Sequence, residues 1–222
     1  MTEAVCFDFN GTLSADEELM YEVLAALFAE RGQPLPRATY FEQFVGFGDD
    51  EIARRWLGVE DEEARAIAAE RAERARALPL EGRIREAAAD ALRAAAARVP
   101  VAIVTTSVRA EIEAVLTSAG LDHFVTAVVA GDDVSRSKPD PEPYRHALEI
   151  LDAGDALAFE DTPAGIASAK GAGLRCCAIA TTVSRERLHE ADVVADALTP
   201  ELVESLLWEL LSESAVHAEP SS

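Results

Sequence analysis

Residues 4–13 read Ala-Val-Cys-Phe-Asp-Phe-Asn-Gly-Thr-Leu, a short apolar run that breaks off at Asp8 into a turn signal. An apolar run of this length, closed by Asn-Gly, predicts a buried strand over Ala4–Phe9. Asn10-Gly11 between apolar residues also suits the turn of a β-hairpin. The residues that follow decide the matter. Ser14-Ala-Asp-Glu17 has capping-box spacing, and Leu19, Val23, Leu24, Leu27 and Phe28 then recur at helical spacing. The strand therefore passes into a helix.

Outward from there the pattern stays helical to about Leu78. Helices are expected over Asp16–Arg31, Arg37–Val45, Asp49–Leu57 and Asp61–Leu78, with Gln33-Pro-Leu-Pro36 as a linker. Glu70 and Arg74 have the i,i+4 spacing of a solvated face. After Pro79 the rhythm alternates. Helices are expected at Arg83–Arg98, Val108–Ala119, Pro141–Leu151, Thr162–Lys170 and from Thr199-Pro200 to about Glu213. Asp140 should cap the third of these, and Ala215–Ser222 should be a frayed tail. Strands are expected at Val101–Thr105, Thr126–Ala130, Ala156–Phe159, Leu174–Ile179 and Asp192–Val194. Apolar strands separated by helices imply an α/β fold: a mainly parallel sheet covered on both faces, with the helical unit inserted after its first strand.

The composition narrows the function. Lys and Arg number 20 against 41 Asp and Glu, a formal charge of −21. That surface repels DNA, RNA and anionic lipid, so no nucleic-acid or membrane partner is expected. No apolar stretch is long enough to span a bilayer, and the N-terminus lacks a basic leader segment. Cys6, Cys176 and Cys177 lie in apolar runs without metal spacing and read as core residues of a reducing cytoplasm. The chain is expected to be cytoplasmic, as a monomer or homodimer.

In an open parallel sheet the ligand sits outside the carboxyl ends of the strands. Asp8-Phe-Asn10-Gly-Thr12, Thr105-Thr106-Ser107, Ser137-Lys138-Pro139 and Glu160-Asp161 fall there. Any one of these is unremarkable as a turn or cap. Together they gather three carboxylates, a hydroxyl and an ammonium around one crevice, which makes sense if a cation sits among them.

These four segments, in this order, resemble the motifs of the haloacid dehalogenase superfamily, and within it the β-phosphoglucomutase-like phosphatases. The likeness covers about residues 4–180 through DFNGTL (8–13), VAIVTTS (101–107), SKPDP (137–141) and AFEDTPAGIASAKGAG (158–173). It implies a Rossmann-like core of residues 1–13 and 82–222 and a helical cap of residues 14–81. It also implies Mg²⁺-dependent hydrolysis of a small phosphorylated metabolite. Asp8 would be the nucleophile. Asp8, Asp161, the backbone carbonyl of Asn10 and, directly or through water, Glu160 would hold the metal. Thr105 and Lys138 would bind the phosphoryl group with amides near Gly11 and Ser107, Thr106 lying between. Phe47, Gly48 and Asp49 of the cap would face the substrate. Acidic Asp49 and Asp50 suit a hydroxylated or cationic substrate better than a bisphosphate.

One residue departs from the pattern. The position of Asn10 in the phosphatase and mutase branches carries an aspartate that serves as acid and base, which an amide cannot do. Either another group or the substrate itself assists, or the chain is an engineered trap or binds phosphates with little turnover, or Asn10-Gly11 deamidates to restore the acid. A phosphomutase would need that acid even more. The phosphonate-cleaving branch relies on a cap lysine, and residues 14–81 contain none. Arg54 and Arg55 read as a solvated face. His123, His146, His189 and His217 read as surface or packing residues, and Trp56 and Trp208 as packing residues.

Overall fold

The structure, a computed structural model, describes residues 4–216, with side chains as far as residue 209. Six parallel strands form one sheet in the order β3-β2-β1-β4-β5-β6. They are β1 (Ala4–Phe7), β2 (Val101–Val104), β3 (Ala127–Val129), β4 (Ala156–Glu160), β5 (Arg175–Ile179) and β6 (Val193–Ala195). Every residue of β1, β2 and β4 is buried, as the unbroken apolar runs require. Successive side chains point to opposite faces. Cys6, Val104 and Ala158 join one core, with Tyr144 and Ile166. Phe7, Ile103 and Phe159 join the other, with Leu92, Ile112 and Leu206.

Register places the chemistry. Phe7 is level with Phe159 and Ile103, and its ring stacks on Phe159 at 5.0 Å. Asp8 therefore leaves β1 beside Glu160 at the end of β4, its amide donating to Phe159 O at 2.9 Å. The strand order runs outward in opposite directions from β1 and β4, which makes their boundary the crevice where ligands bind in such sheets.

Between β1 and β2 lie α1 (Glu17–Glu30), α2 (Arg37–Thr39) running into a π-helical turn (Tyr40–Phe44), α3 (Asp49–Leu57) and α4 (Asp61–Arg76). Leu24, Leu27, Phe28, Phe44 and Ile52 are buried among them, and Trp56 meets Phe44 edge-on at 6.1 Å. Around the sheet follow α5 (Glu86–Ala96), α6 (Arg109–Ser118), α7 (Glu142–Leu151), α8 (Pro163–Gly171) and α9 (Pro200–Val216). The N-cap of α7 is Pro141 rather than Asp140, which lies one residue earlier and accepts from the Glu142 amide at 2.9 Å, while Thr162 caps α8 through Gly165.

Several expectations need correcting. The capping box at Ser14–Glu17 is not formed. The Ser14 backbone is committed to bridges with Asn10 and Ile84, where the two crossings between insertion and sheet meet, and its hydroxyl donates to Asp16. Glu17 instead turns to the Tyr40 hydroxyl. The single helix expected over Arg37–Val45 changes to π geometry at Tyr40. Short 3₁₀ turns at Asp122–Phe124, Gly131–Asp133 and Arg185–Leu188 are too brief to leave a periodic signal. Trp208 is 71% exposed, because α9 buries Val203, Leu206 and Leu207 on its other face. Ala215 and Val216 belong to α9; His217 and the rest of the expected tail lie outside the described residues.

Candidate active site

Lys138, from the loop after β3, reaches the strand ends. Its Nζ donates to Asp8 Oδ1 at 2.6 Å, to Glu160 Oε1 at 2.6 Å and to Val104 O at 2.8 Å. An ammonium has three N–H groups, so all are used and its position is fixed. Glu160 Oε1 also accepts from the Tyr144 hydroxyl at 2.6 Å. Burial works against the Lys138 ammonium, but Asp8 and Glu160 outweigh it and hold the group above the ordinary lysine range.

The carboxylates are left short of positive charge. Asp8, Glu160 and Asp161 each offer an oxygen within 4.8 Å of the others, and all three are buried. Asp8 Oδ2 and Asp161 Oδ2 have no hydrogen-bond partner. Burial raises the Asp8 carboxyl to about 7 despite the opposing Lys138. Burial, then the charges of Asp8 and Glu160, push Asp161 well above the usual range. Two unpartnered buried oxygens of like charge in an all-oxygen set fit a hard divalent cation, because an ion there would satisfy both. The turn makes room for this: Gly11 has φ +82°, and a side chain on it would collide with the Asp161 carboxylate.

Beyond the carboxylates a small, partly open cavity is lined by Asp8, Asn10, Thr106, Ser107, Lys138 and Asp161 from the sheet side. Phe47 and Asp49 line it from the helical insertion. Thr105 and Glu160 are not among its lining residues, and Gly48 lines the larger groove that adjoins it. Thr105 Oγ1 accepts from the Ser107 amide at 3.1 Å, which leaves its own hydrogen to donate. Asn10 is held at both ends. Its Nδ2 donates to Asp16 Oδ1 at 2.9 Å, and its Oδ1 accepts from Ser107 Oγ at 2.9 Å.

The sequence does not mark Glu17, Met20, Tyr40, Gly46, Arg71 or Thr162 as wall residues, and three of these carry titratable groups. Glu17 looked like part of a cap. Burial, opposed by the Tyr40 hydrogen bond, raises its carboxyl to about 7. Tyr40 lies where the helix changes to π geometry, donating to Glu17 Oε1 at 2.6 Å. Arg71 sat unnoticed in an Ala/Glu/Arg helix, where spacing alone separates it from no neighbour. It is buried and pairs with Glu111 at 2.7 Å and Asp49 at 3.2 Å. Arg54 pairs with Asp50, Glu51 and Asp61, while Arg55 pairs with Glu51 and covers the Phe47 ring at 4.5 Å. His123, His146 and His189 lie at the surface.

The family model of haloacid dehalogenase-like hydrolases matches residues 5–179, from the strand carrying Asp8 to the end of β5. The chain belongs to this family. A curated relative, validoxylamine A 7'-phosphate phosphatase of Streptomyces hygroscopicus subsp. limoneus, is 33% identical over 216 residues, covering 90% of this chain and 95% of the relative. A crystal structure of a mutant CbbY from Rhodobacter sphaeroides with xylulose-(1,5)bisphosphate superposes with a TM-score of 0.75 at 31% identity, covering 89% of this chain and 95% of that one. β-Phosphoglucomutase from Clostridium difficile gives 0.81 at 21% identity, over 97% of this chain and 100% of that one, a likeness of fold. Within the haloacid dehalogenase-like hydrolases, the architecture is that of the β-phosphoglucomutase-like branch.

Proposed function

We propose that this chain is a Mg²⁺-dependent phosphatase that hydrolyses a small phosphomonoester through an aspartyl-phosphate on Asp8. The observation that carries this is Asp8 itself: one carboxylate oxygen is fixed by Lys138 and the other is unpartnered and adjacent to Asp161. Residues 1–13 and 82–222 act as the catalytic core, and residues 14–81 as a cap that closes over the substrate and excludes water. Asp8, Asp161, the Asn10 carbonyl and, directly or through water, Glu160 would hold the metal, with Glu160 also orienting Lys138. When bound, Mg²⁺ supplies positive charge against the carboxylates and the phosphoryl oxygens.

Asp8 forms a bond to phosphorus as the ester P–O bond breaks, and water then displaces phosphate from Asp8. Lys138 neutralises charge on nucleophile and phosphate, Thr105 donates its hydroxyl, and the turn at Gly11 with Thr106 and Ser107 cradles the phosphoryl oxygens. Phe47, Gly48 and Asp49 contact the rest of the substrate. Two named relatives support a phosphorylated small molecule: one is a phosphatase of validoxylamine A 7'-phosphate, the other was crystallised with xylulose bisphosphate. Asp49 favours a hydroxylated or cationic group at the far end.

A second reading follows from Asn10, whose amide is tied off at both ends. The chain would then bind phosphorylated metabolites with little turnover. Phosphate release from a panel of sugar and acyl phosphates with Mg²⁺ separates the two. Turnover that Asp8→Asn abolishes supports the phosphatase. Tight binding without release, unchanged by that substitution, supports the binder, and activity that persists in Asp8→Asn overturns the mechanism.

A further inference from the structure

Hydrolysis of an alkyl phosphate needs a proton for the leaving oxygen and a base for the attacking water, and Asn10 supplies neither. Its amide nitrogen donates to Asp16 and its oxygen accepts from Ser107, and an amide neither gives up nor takes a proton near neutral pH. The cavity walls hold few other titratable groups. Asp8 is the nucleophile and Asp161 a metal ligand in the function proposed above. Lys138 has all three N–H groups committed. Arg71 stays charged at any relevant pH, and Asp49 is paired with it. Tyr40 is held well above the usual phenol range by burial and by Glu17. Glu17 remains.

We propose that Glu17 is the proton donor and acceptor of this reaction, standing in for the carboxyl that position 10 lacks. The proposal rests on the phosphatase function above. Glu17 opens α1, is half-buried and lines the same cavity as Asp8. Tyr40 fixes its Oε1 at 2.6 Å, and among the described residues nothing hydrogen-bonds its Oε2 or forms an ion pair with it. The groups around it are Asp16 on its own helix, Tyr40, Asp49 on α3 and Arg71 on α4, with Asp8 and Asp161 across the cavity. Burial and this acidic company keep its carboxyl protonated up to about 7, so it holds a proton to give and can take one back.

In the first step the Asp8–phosphorus bond forms, the ester P–O bond breaks, and the departing oxygen takes the Glu17 proton. The leaving group departs and water occupies the same apical position. In the second step the water oxygen bonds to phosphorus, the Asp8–phosphorus bond breaks, and Glu17 recovers a proton from the water.

The test is rapid-quench phosphorylation of Asp8 in Glu17→Gln. One substrate is the best alkyl phosphate of the panel. The other is p-nitrophenyl phosphate, whose phenolate leaves without a proton. Loss of a positioned acid should slow the alkyl reaction about 10²–10⁴-fold while the nitrophenyl reaction changes less than about threefold. The alkyl rate of the unmodified chain should fall as pH rises through about 7, and that limb should vanish in Glu17→Gln. In an Asn10→Asp background, Glu17→Gln should cost less than about tenfold. A fold defect would lower both substrates alike, so equal losses overturn the proposal, as does an undiminished alkyl rate. Absence of Asp8 phosphorylation from p-nitrophenyl phosphate in the unmodified chain would instead overturn the phosphatase function, and this proposal with it.

Discussion

Two clusters of buried charge meet at Asn10, and they balance differently. At the strand ends Asp8, Glu160 and Asp161 face one ammonium, Lys138. The atoms left without hydrogen bonds there are carboxylate oxygens of Asp8 and Asp161, so nothing within the cluster can satisfy them. Beneath the insertion Asp16, Asp49 and Glu111 face Arg71 and Arg83. Atoms there also lack hydrogen bonds, but they oppose one another: Asp16 Oδ2 lies 3.6 Å from Arg83, and Glu111 Oε1 lies 3.7 Å from it. The second cluster closes on itself and ties α4 to α6. The first closes with a cation from outside. A similar density of buried charge thus serves cohesion in one place and ligand binding in the other.

The largest expected effect comes from altering the residue that joins them. Asn10→Asp sets a carboxyl against Asp16, and like-charge repulsion should keep it protonated near neutral pH. In a Glu17→Gln background, where the chain's own acid is gone, Asn10→Asp should raise turnover of alkyl phosphates about 10²–10⁴-fold, measured as steady-state phosphate release. Equal rates with and without Asn10→Asp in that background would mean that a carboxyl at position 10 cannot replace Glu17, and the two would not share one task.

Next is the self-closing cluster. Arg71→Met removes one partner and leaves half-buried Asp49 and buried Glu111 without it, which should cost about 3–5 kcal/mol in urea unfolding. A loss below about 1 kcal/mol would place this cluster in effective contact with water and erase the contrast with the surface.

The open cluster should respond to metal and pH together. Carboxyls raised in the folded state stabilise it below their unfolded values and lose that contribution as pH climbs through the folded ones. For Asp8 that window runs from the ordinary carboxylate range to about 7. Metal-free protein should therefore weaken over this range, and Mg²⁺, which displaces protons from its ligands, should restore more at about pH 8 than at about pH 5. At saturating metal, about a hundred times Kd, the gain is about 2.7 kcal/mol by thermal melting. Asp161→Asn should remove most of it; a gain that survives the substitution would move the metal elsewhere.

The sequence carried the sheet and the strand-end residues clearly, because unbroken apolar runs and the turns after them are local signals. Asp8, Lys138, Glu160 and Asp161 converge as their positions at strand ends imply. Arg71 and Glu17 were not legible. Arg71 meets Glu111, 40 positions away, and no spacing within α4 marks it off from Arg74. Glu17 had a plausible local task as a capping-box acid, and only the commitment of the Ser14 backbone to Asn10 and Ile84 releases it toward the cavity. What depends on packing between distant segments leaves no periodic trace.

The contrast between Arg71 and Arg74 gives the smallest effect and the sharpest control. Both sit on α4 and each meets two acids, Arg74 pairing with Glu30 and Glu70 at 2.7 Å each. Arg74 is over a third exposed in its side chain, whereas Arg71 is 5% exposed. Water already solvates the Arg74 ions and salt screens them, so Arg74→Ala should cost far less than Arg71→Met, and less still at high ionic strength. If instead it matched Arg71→Met, the number of ion pairs rather than their burial would govern stability here, and the distinction between a structural cluster and a decorated surface would fail.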